Sequence, residues 1–171
     1  MISDQIVKIA KSYIGQHEKP SNSGFKDAEF EKRMKDVGWS TSLSWCVFFT
    51  ELVWKEAYGP GQVFNELSKL FSGSATTTYK NFELSKTWKV GQKPVPGAIA
   101  IWRYGNGWQG HAAVVVSVGD KKDFNTVEGN TNSEGGREGV EVAEKTRLTG
   151  KAFTKNGLNL VGFIYPKDVT V

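Results

Sequence analysis

The chain has a single cysteine, Cys46, among 171 residues. One thiol excludes an internal disulfide framework, so the fold does not depend on an oxidising compartment. It also excludes zinc sites built from cysteines, and the only histidines are His17 and His111. No metal or other cofactor is expected. No apolar run approaches the roughly 18–20 residues that cross a bilayer, so membrane insertion is not expected. There is no run of five basic residues; the excess of 22 basic over 18 acidic side chains, a net +4, is spread along the chain. So mild an excess favours an anionic polymer through long-range attraction. Without a basic stripe or a binding motif it does not point to nucleic acid. The N-terminal MISDQIVKIAKSYIG has no basic start, apolar core or small-residue cleavage site, so it is not expected to be a signal peptide. Neither an internal repeat nor a long linker divides the sequence, which is read as one domain over residues 1–171, monomeric by default.

Apolar residues make up 39% of the chain, with six Trp, ten Phe and five Tyr, enough for a sizeable core and against disorder. Helical spacing predicts helices over Ser3–Ile14, Phe25–Val37 and Trp45–Tyr58, the last capped by Ser44 and stopped by Gly59-Pro60. Shorter helices are expected over Val63–Phe71 and Thr76–Leu84. From Trp88 the texture changes to short β-rich runs separated by Gly, Asn and Asp: Ala98–Arg103, His111–Val118, Phe124–Glu128, Gly139–Glu144 and Leu160–Tyr165. Helices first and an antiparallel sheet second is an α+β arrangement.

Cys46 sits in SWCVFFTEL, in the first turn of the strongest predicted helix. A thiol is a good nucleophile only as a thiolate, and both a helix N-terminus and a neighbouring imidazole favour that form. His111 opens the run HAAVVVSV after the turn GNGWQG, where a strand end can face a helix terminus. His17, in the polar loop HEKPSNSG, reads as a solvated residue. The next strand ends in TVEGNT, with Glu128 and Asn130 two positions apart and therefore expected on one face, toward the strand bearing His111. Either can fix the imidazole's tautomer and orientation. Taken singly, Cys46 reads equally well as a buried apolar filler, and Glu128 and Asn130 as strand-end residues.

Together these segments resemble the CHAP domain, the cysteine, histidine-dependent amidohydrolase/peptidase group of the NlpC/P60 and papain-like superfamily. SWCVFFTELVWKEA is similar to the nucleophile helix, KPVPGAIAIW and GHAAVVVSV to the first core strands, TVEGNT to the Glu-x-Asn element, and EGVEVAEKTR and LVGFIYP to the closing strands. YIGQHEKPSNSG resembles a segment near the start of many bacterial and phage members. Two departures are visible: Pro96-Gly97-Ala98 stands where Pro-Gly-Asp is common, and no Asp-x-Asp-x-x-Gly loop precedes Cys46, so a calcium site is not expected.

The resemblance implies a papain-like α+β fold, N-terminal helices packed on a C-terminal antiparallel sheet of about five to six strands. It implies cleavage of an amide bond in bacterial peptidoglycan, either the N-acetylmuramoyl-L-alanine bond or one in the stem peptide or cross-bridge. Cys46 is then the nucleophile, His111 the proton shuttle, Glu128 its direct partner with Asn130 in support, and the backbone N–H of Cys46 an oxyanion donor. Trp108, in the turn before His111, is the candidate groove aromatic, and Glu18 and Asn22 are candidates for shaping the cleft. Trp45 and Trp102 read as packing residues. Two alternatives stay open: an amidase acting on a small glutathione-type conjugate, and a catalytically silent binding module. A lysin or an injected effector reaches the wall without a signal peptide, so the expected place of action is the bacterial cell wall after release or injection, or after secretion if a leader precedes residue 1.

Overall fold

A computed structural model describes residues 1–131 and 139–170. Five helices, α1 (Ile2–Ser12), α2 (Ala28–Asp36), α3 (Cys46–Tyr58), α4 (Gln62–Leu70) and α5 (Ala75–Ser85), precede every strand of the sheet. The strands are β1 (Val90–Gly91), β2 (Ile99–Tyr104), β3 (Gly110–Val118), β4 (Asp123–Thr131), β5 (Glu141–Leu148) and β6 (Leu158–Ile164). They form one six-stranded antiparallel sheet in the order β1-β6-β2-β3-β4-β5. This is the α+β architecture expected from the sequence. The two-residue β1 was not anticipated, being too short to show any alternation.

Helix α3 is the centre of the helical layer because it is apolar almost all round, the pattern of a buried helix. Ten of its residues are buried, from Cys46 to Ala57. It packs on β3 and β4 from one side and takes α1, α2 and α4 on others. Gly59, with φ +66, ends it in a conformation open to glycine at no steric cost. Aromatic rings fill the layer: Trp45 meets Phe25 edge-on at 4.9 Å, and Trp54 packs among Phe71, Phe82 and Trp88. The rings of Trp45 and Trp54 are wholly buried, so truncating either would cost about 3–5 kcal/mol.

The strands alternate between two cores. Ile99, Ile101, Ala112, Val114, Val127 and Ile164 face the helices. Ala98, Ala100, Trp102, Ala113, Val115, Phe124 and Phe163 build a smaller cluster on the other face. Trp102 lies directly opposite His111, which therefore joins the second face at the start of β3.

The start of α3 differs from the expected cap. Trp45, not Ser44, is the N-cap residue, and its side chain makes no capping hydrogen bond. The indole is drawn into the core, and Ser44 turns its hydroxyl elsewhere. Within the closing segment EGVEVAEKTR, Glu138 lies outside the described residues, and β5 runs on to Leu148, four residues beyond the expected end.

Candidate active site

Cys46 is the first residue of α3, and His111 the second residue of β3. The two side chains share one wall of the cleft, where each favours the charged form of the other. His111 Nε2 meets Glu128 Oε2 at 2.7 Å, which leaves Nδ1 as the nitrogen that serves the sulfur. Cys46 is only 5% exposed, yet it lies on the wall of a cleft of about 580 Å³ together with His111. The sulfur is therefore not sealed in apolar packing.

Glu128 is fully buried, and both its oxygens are shared. Oε1 accepts from Thr126 Oγ1 at 2.6 Å and from Arg147 Nε at 2.7 Å. Oε2 accepts from Arg147 Nη2 at 2.6 Å besides facing His111. The Arg147 guanidinium also lies 5.3 Å from the centre of the Trp102 ring, which in turn packs 5.9 Å from His111. Trp102 is thus the buried sheet residue expected, and it braces the imidazole as well.

Electrostatics follow from these contacts. Burial opposes ionisation of Cys46, but the hydrogen bond and charge of His111, the N–H of Ala112 and the Ser44 hydroxyl together bring the thiol below its ordinary pKa. Burial likewise disfavours the imidazolium, yet the hydrogen bonds to Cys46 and Glu128, and their charges, raise His111 to about 10. Burial pushes the Glu128 carboxyl up, but the charges and hydrogen bonds of His111 and Arg147 hold it well below the usual carboxylate range. The directions of these shifts favour a thiolate–imidazolium pair anchored on a carboxylate.

Asn130 does not reach His111. Strand β4 carries one extra residue between Glu128 and Thr131 relative to β5, and Asn130 itself takes φ +56. This bulge breaks the alternation that would have put Asn130 on the Glu128 face. Its Nδ2 instead donates to Ser44 Oγ at 2.8 Å. With a lone pair so occupied, the Ser44 hydroxyl is left to donate to Cys46. The Asn130 amide therefore acts on the sulfur through Ser44.

Trp108 is 80% exposed on the cleft wall, beside Tyr104. Glu18 and Asn22 are not cleft residues. Glu18 is buried, and its Oε2 accepts from the Trp45 indole at 3.3 Å. Asn22 ties to the loop before α3, donating to Leu43 O at 3.4 Å and accepting from Ser42 N at 3.1 Å. Both bond instead to the segment leading into the nucleophile helix. His17 is half-buried rather than solvated, its backbone bridging to Glu141. Among the described residues no three His, Cys, Asp or Glu side chains gather as metal ligands, and no helix is long and apolar enough to cross a membrane.

Arg147, Thr126 and Ser44 escaped the sequence reading as parts of the site. Thr126 stands two residues before Glu128 on the same face, so alternation alone could have suggested it.

The sequence pattern of the CHAP domain matches residues 37–130, over half of the chain and a span holding Cys46, His111, Glu128 and Asn130. The chain belongs to the CHAP domain family, cysteine, histidine-dependent amidohydrolases and peptidases. No curated protein and no solved structure matches it.

Proposed function

We propose that the protein is a peptidoglycan hydrolase that cuts an amide bond by thiol chemistry, in lysis or remodelling of the bacterial cell wall. The observation that carries this reading is the contiguous Cys46–His111–Glu128 array at an open cleft. The Cys46 thiolate attacks the amide carbonyl carbon, and the carbonyl electrons move onto oxygen. The N-terminal N–H groups of α3, to which Trp45 offers no capping side chain, favour that oxyanion. His111 then gives its Nδ1 proton to the leaving nitrogen as the C–N bond breaks, forming a thioester. Water, deprotonated by the now neutral imidazole, attacks the thioester, and collapse of the adduct releases the acid product and restores the thiolate and imidazolium. Glu128 holds the ring throughout and stabilises its charged form.

Two features support a polymeric wall substrate over a small conjugate. The cleft is open and carries Tyr104 and Trp108, 40% and 80% exposed, in the same lining as the nucleophile, a surface on which sugar rings or peptide side chains can stack. The net charge of +4 favours an anionic polymer. Incubation with purified sacculi, followed by mass spectrometry of the released fragments, tests the reading. New N-terminal alanine means muramoyl amidase, cleavage within the stem means endopeptidase, and no release overturns the proposal. Cys46→Ala is expected to abolish release while the protein stays folded; full activity in that variant would remove Cys46 as nucleophile.

A further inference from the structure

Four side chains alternate in charge across the site: the Cys46 thiolate, the His111 imidazolium, the Glu128 carboxylate and the Arg147 guanidinium. They come from α3, β3, β4 and β5. The first three alone carry a net charge of −1. Glu128 is fully buried, and an uncompensated buried charge is removed most cheaply by taking up a proton. Glu128 would then be a neutral acid, and the imidazolium beside Cys46 would lose its anionic support. Arg147 brings the array to neutrality.

The geometry is that of a fixed fork, not a chance surface pair. Nε and Nη2 each engage a different carboxylate oxygen, at 2.7 and 2.6 Å. The guanidinium is stacked on Trp102, which is 4% exposed, and Arg147 is itself largely covered. Arg147 lines the cleft while Glu128 does not, so the guanidinium stands between the carboxylate and the solvent. Bidentate pairing of this kind gives orientation as well as charge, which a lysine cannot reproduce.

We propose that Arg147 is a positioning residue for the reaction: its guanidinium is the countercharge that keeps Glu128 ionised and aimed at His111, and through them keeps Cys46 as a thiolate. The inference rests on the reading of Cys46 as nucleophile. Arg147 lies beyond residues 37–130, so the family match does not assign it. On the surrounding strands the other ionisable groups are Asp123 of β4, Glu141, Glu144 and Lys145 of β5, and Arg103 and Tyr104 of β2, the Arg103 guanidinium being taken up by the carbonyls of Gly107 and Asn106. No other described group pairs with the Glu128 carboxylate as a cation besides His111.

The test is the rate at which iodoacetamide alkylates Cys46 in the full chain, followed against pH, with no substrate present. Arg147→Met keeps the stem that covers Glu128 and removes the charge. It is expected to move the acid limb up by about one pH unit and so to slow alkylation about tenfold at pH values below the wild-type limb. Arg147→Lys, with charge but no fork, should fall between wild type and Arg147→Met. In a Glu128→Gln background, where no carboxylate needs a countercharge, Arg147→Met should have no further effect on the limb, a result that a merely structural role would not give. Should Arg147→Met fail to fold, Arg147→Gln takes its place with the same expectation. A low wild-type limb left unmoved by the neutral variant overturns the proposal alone. A wild-type limb where an ordinary thiol titrates overturns the nucleophile reading, and this proposal falls with it.

Discussion

At the scale of single residues, the sulfur of Cys46 is approached by donors of three kinds: the imidazole of His111, the backbone N–H of Ala112 and the hydroxyl of Ser44. The last is held by Asn130, so Asn130 and Ser44 act in series. A hydrogen bond to a charged group contributes about 1.5–3 kcal/mol, so Ser44→Ala is expected to slow Cys46 alkylation roughly tenfold or more at pH values below the wild-type limb. Asn130→Gly keeps the freedom to adopt φ +56 and should give a similar loss, and the double variant little more than either alone. Additive losses would mean that the two residues act separately. Asn130→Ala should lose up to about 1–2 kcal/mol of stability besides, because alanine lacks the short polar side chain that lets asparagine tolerate the left-handed region.

At the scale of elements, the site depends on how closely the first turn of α3 lies against β4. Gly129, between Glu128 and Asn130, is where they touch. A Cβ there would lie 2.6 Å from Trp45 Cζ3 and 2.7 Å from Phe49 Cβ. Gly129→Ala is expected to destabilise the protein by about 1–3 kcal/mol, lowering Tm by several degrees, and to depress activity in the folded fraction by shifting Glu128 away from His111. An unchanged Tm and activity would show that the helix gives way without disturbing the site.

The helices and most strands were legible in the sequence because each carries its own period, as in the stripe of α3 or the alternation of HAAVVVSV. What was not legible came from pairing between distant segments. The extra residue in β4 that turns Asn130 toward Ser44 is visible only in register with β5. Arg147 was missed for two reasons: the expected strand stopped at Glu144, and nothing local says that Arg147 faces Glu128 across the sheet. Glu18 and Asn22 were assigned to the cleft from their motif, whereas the fold bonds them to the segment leading into the helix. The pairing of Cys46 with His111 was foreseeable because a helix start and a strand start are both positions where a short polar side chain can meet another across a layer boundary.

At the scale of the whole molecule, the reactive group is assembled from α3, β3, β4 and β5, with β2 bracing it through Trp102. No contiguous piece contains it, so the ionisation of Cys46 reports on the intact fold. The pH window follows from the directions of the shifts. Cys46 lies below an ordinary thiol and His111 is raised to about 10, so the charged pair persists from below the usual thiol range up to about pH 10 and is lost on either side. Because the chain has one cysteine, its thiolate can be observed without ambiguity. The most direct measurement is the ultraviolet absorbance of the thiolate, taken as wild type minus Cys46→Ala across pH. A thiolate signal persisting well below the roughly 8.5 of a free cysteine is expected, with His111→Ala returning it toward that value. A wild-type midpoint at or above that value would contradict the thiolate–imidazolium pair on which the proposed chemistry depends.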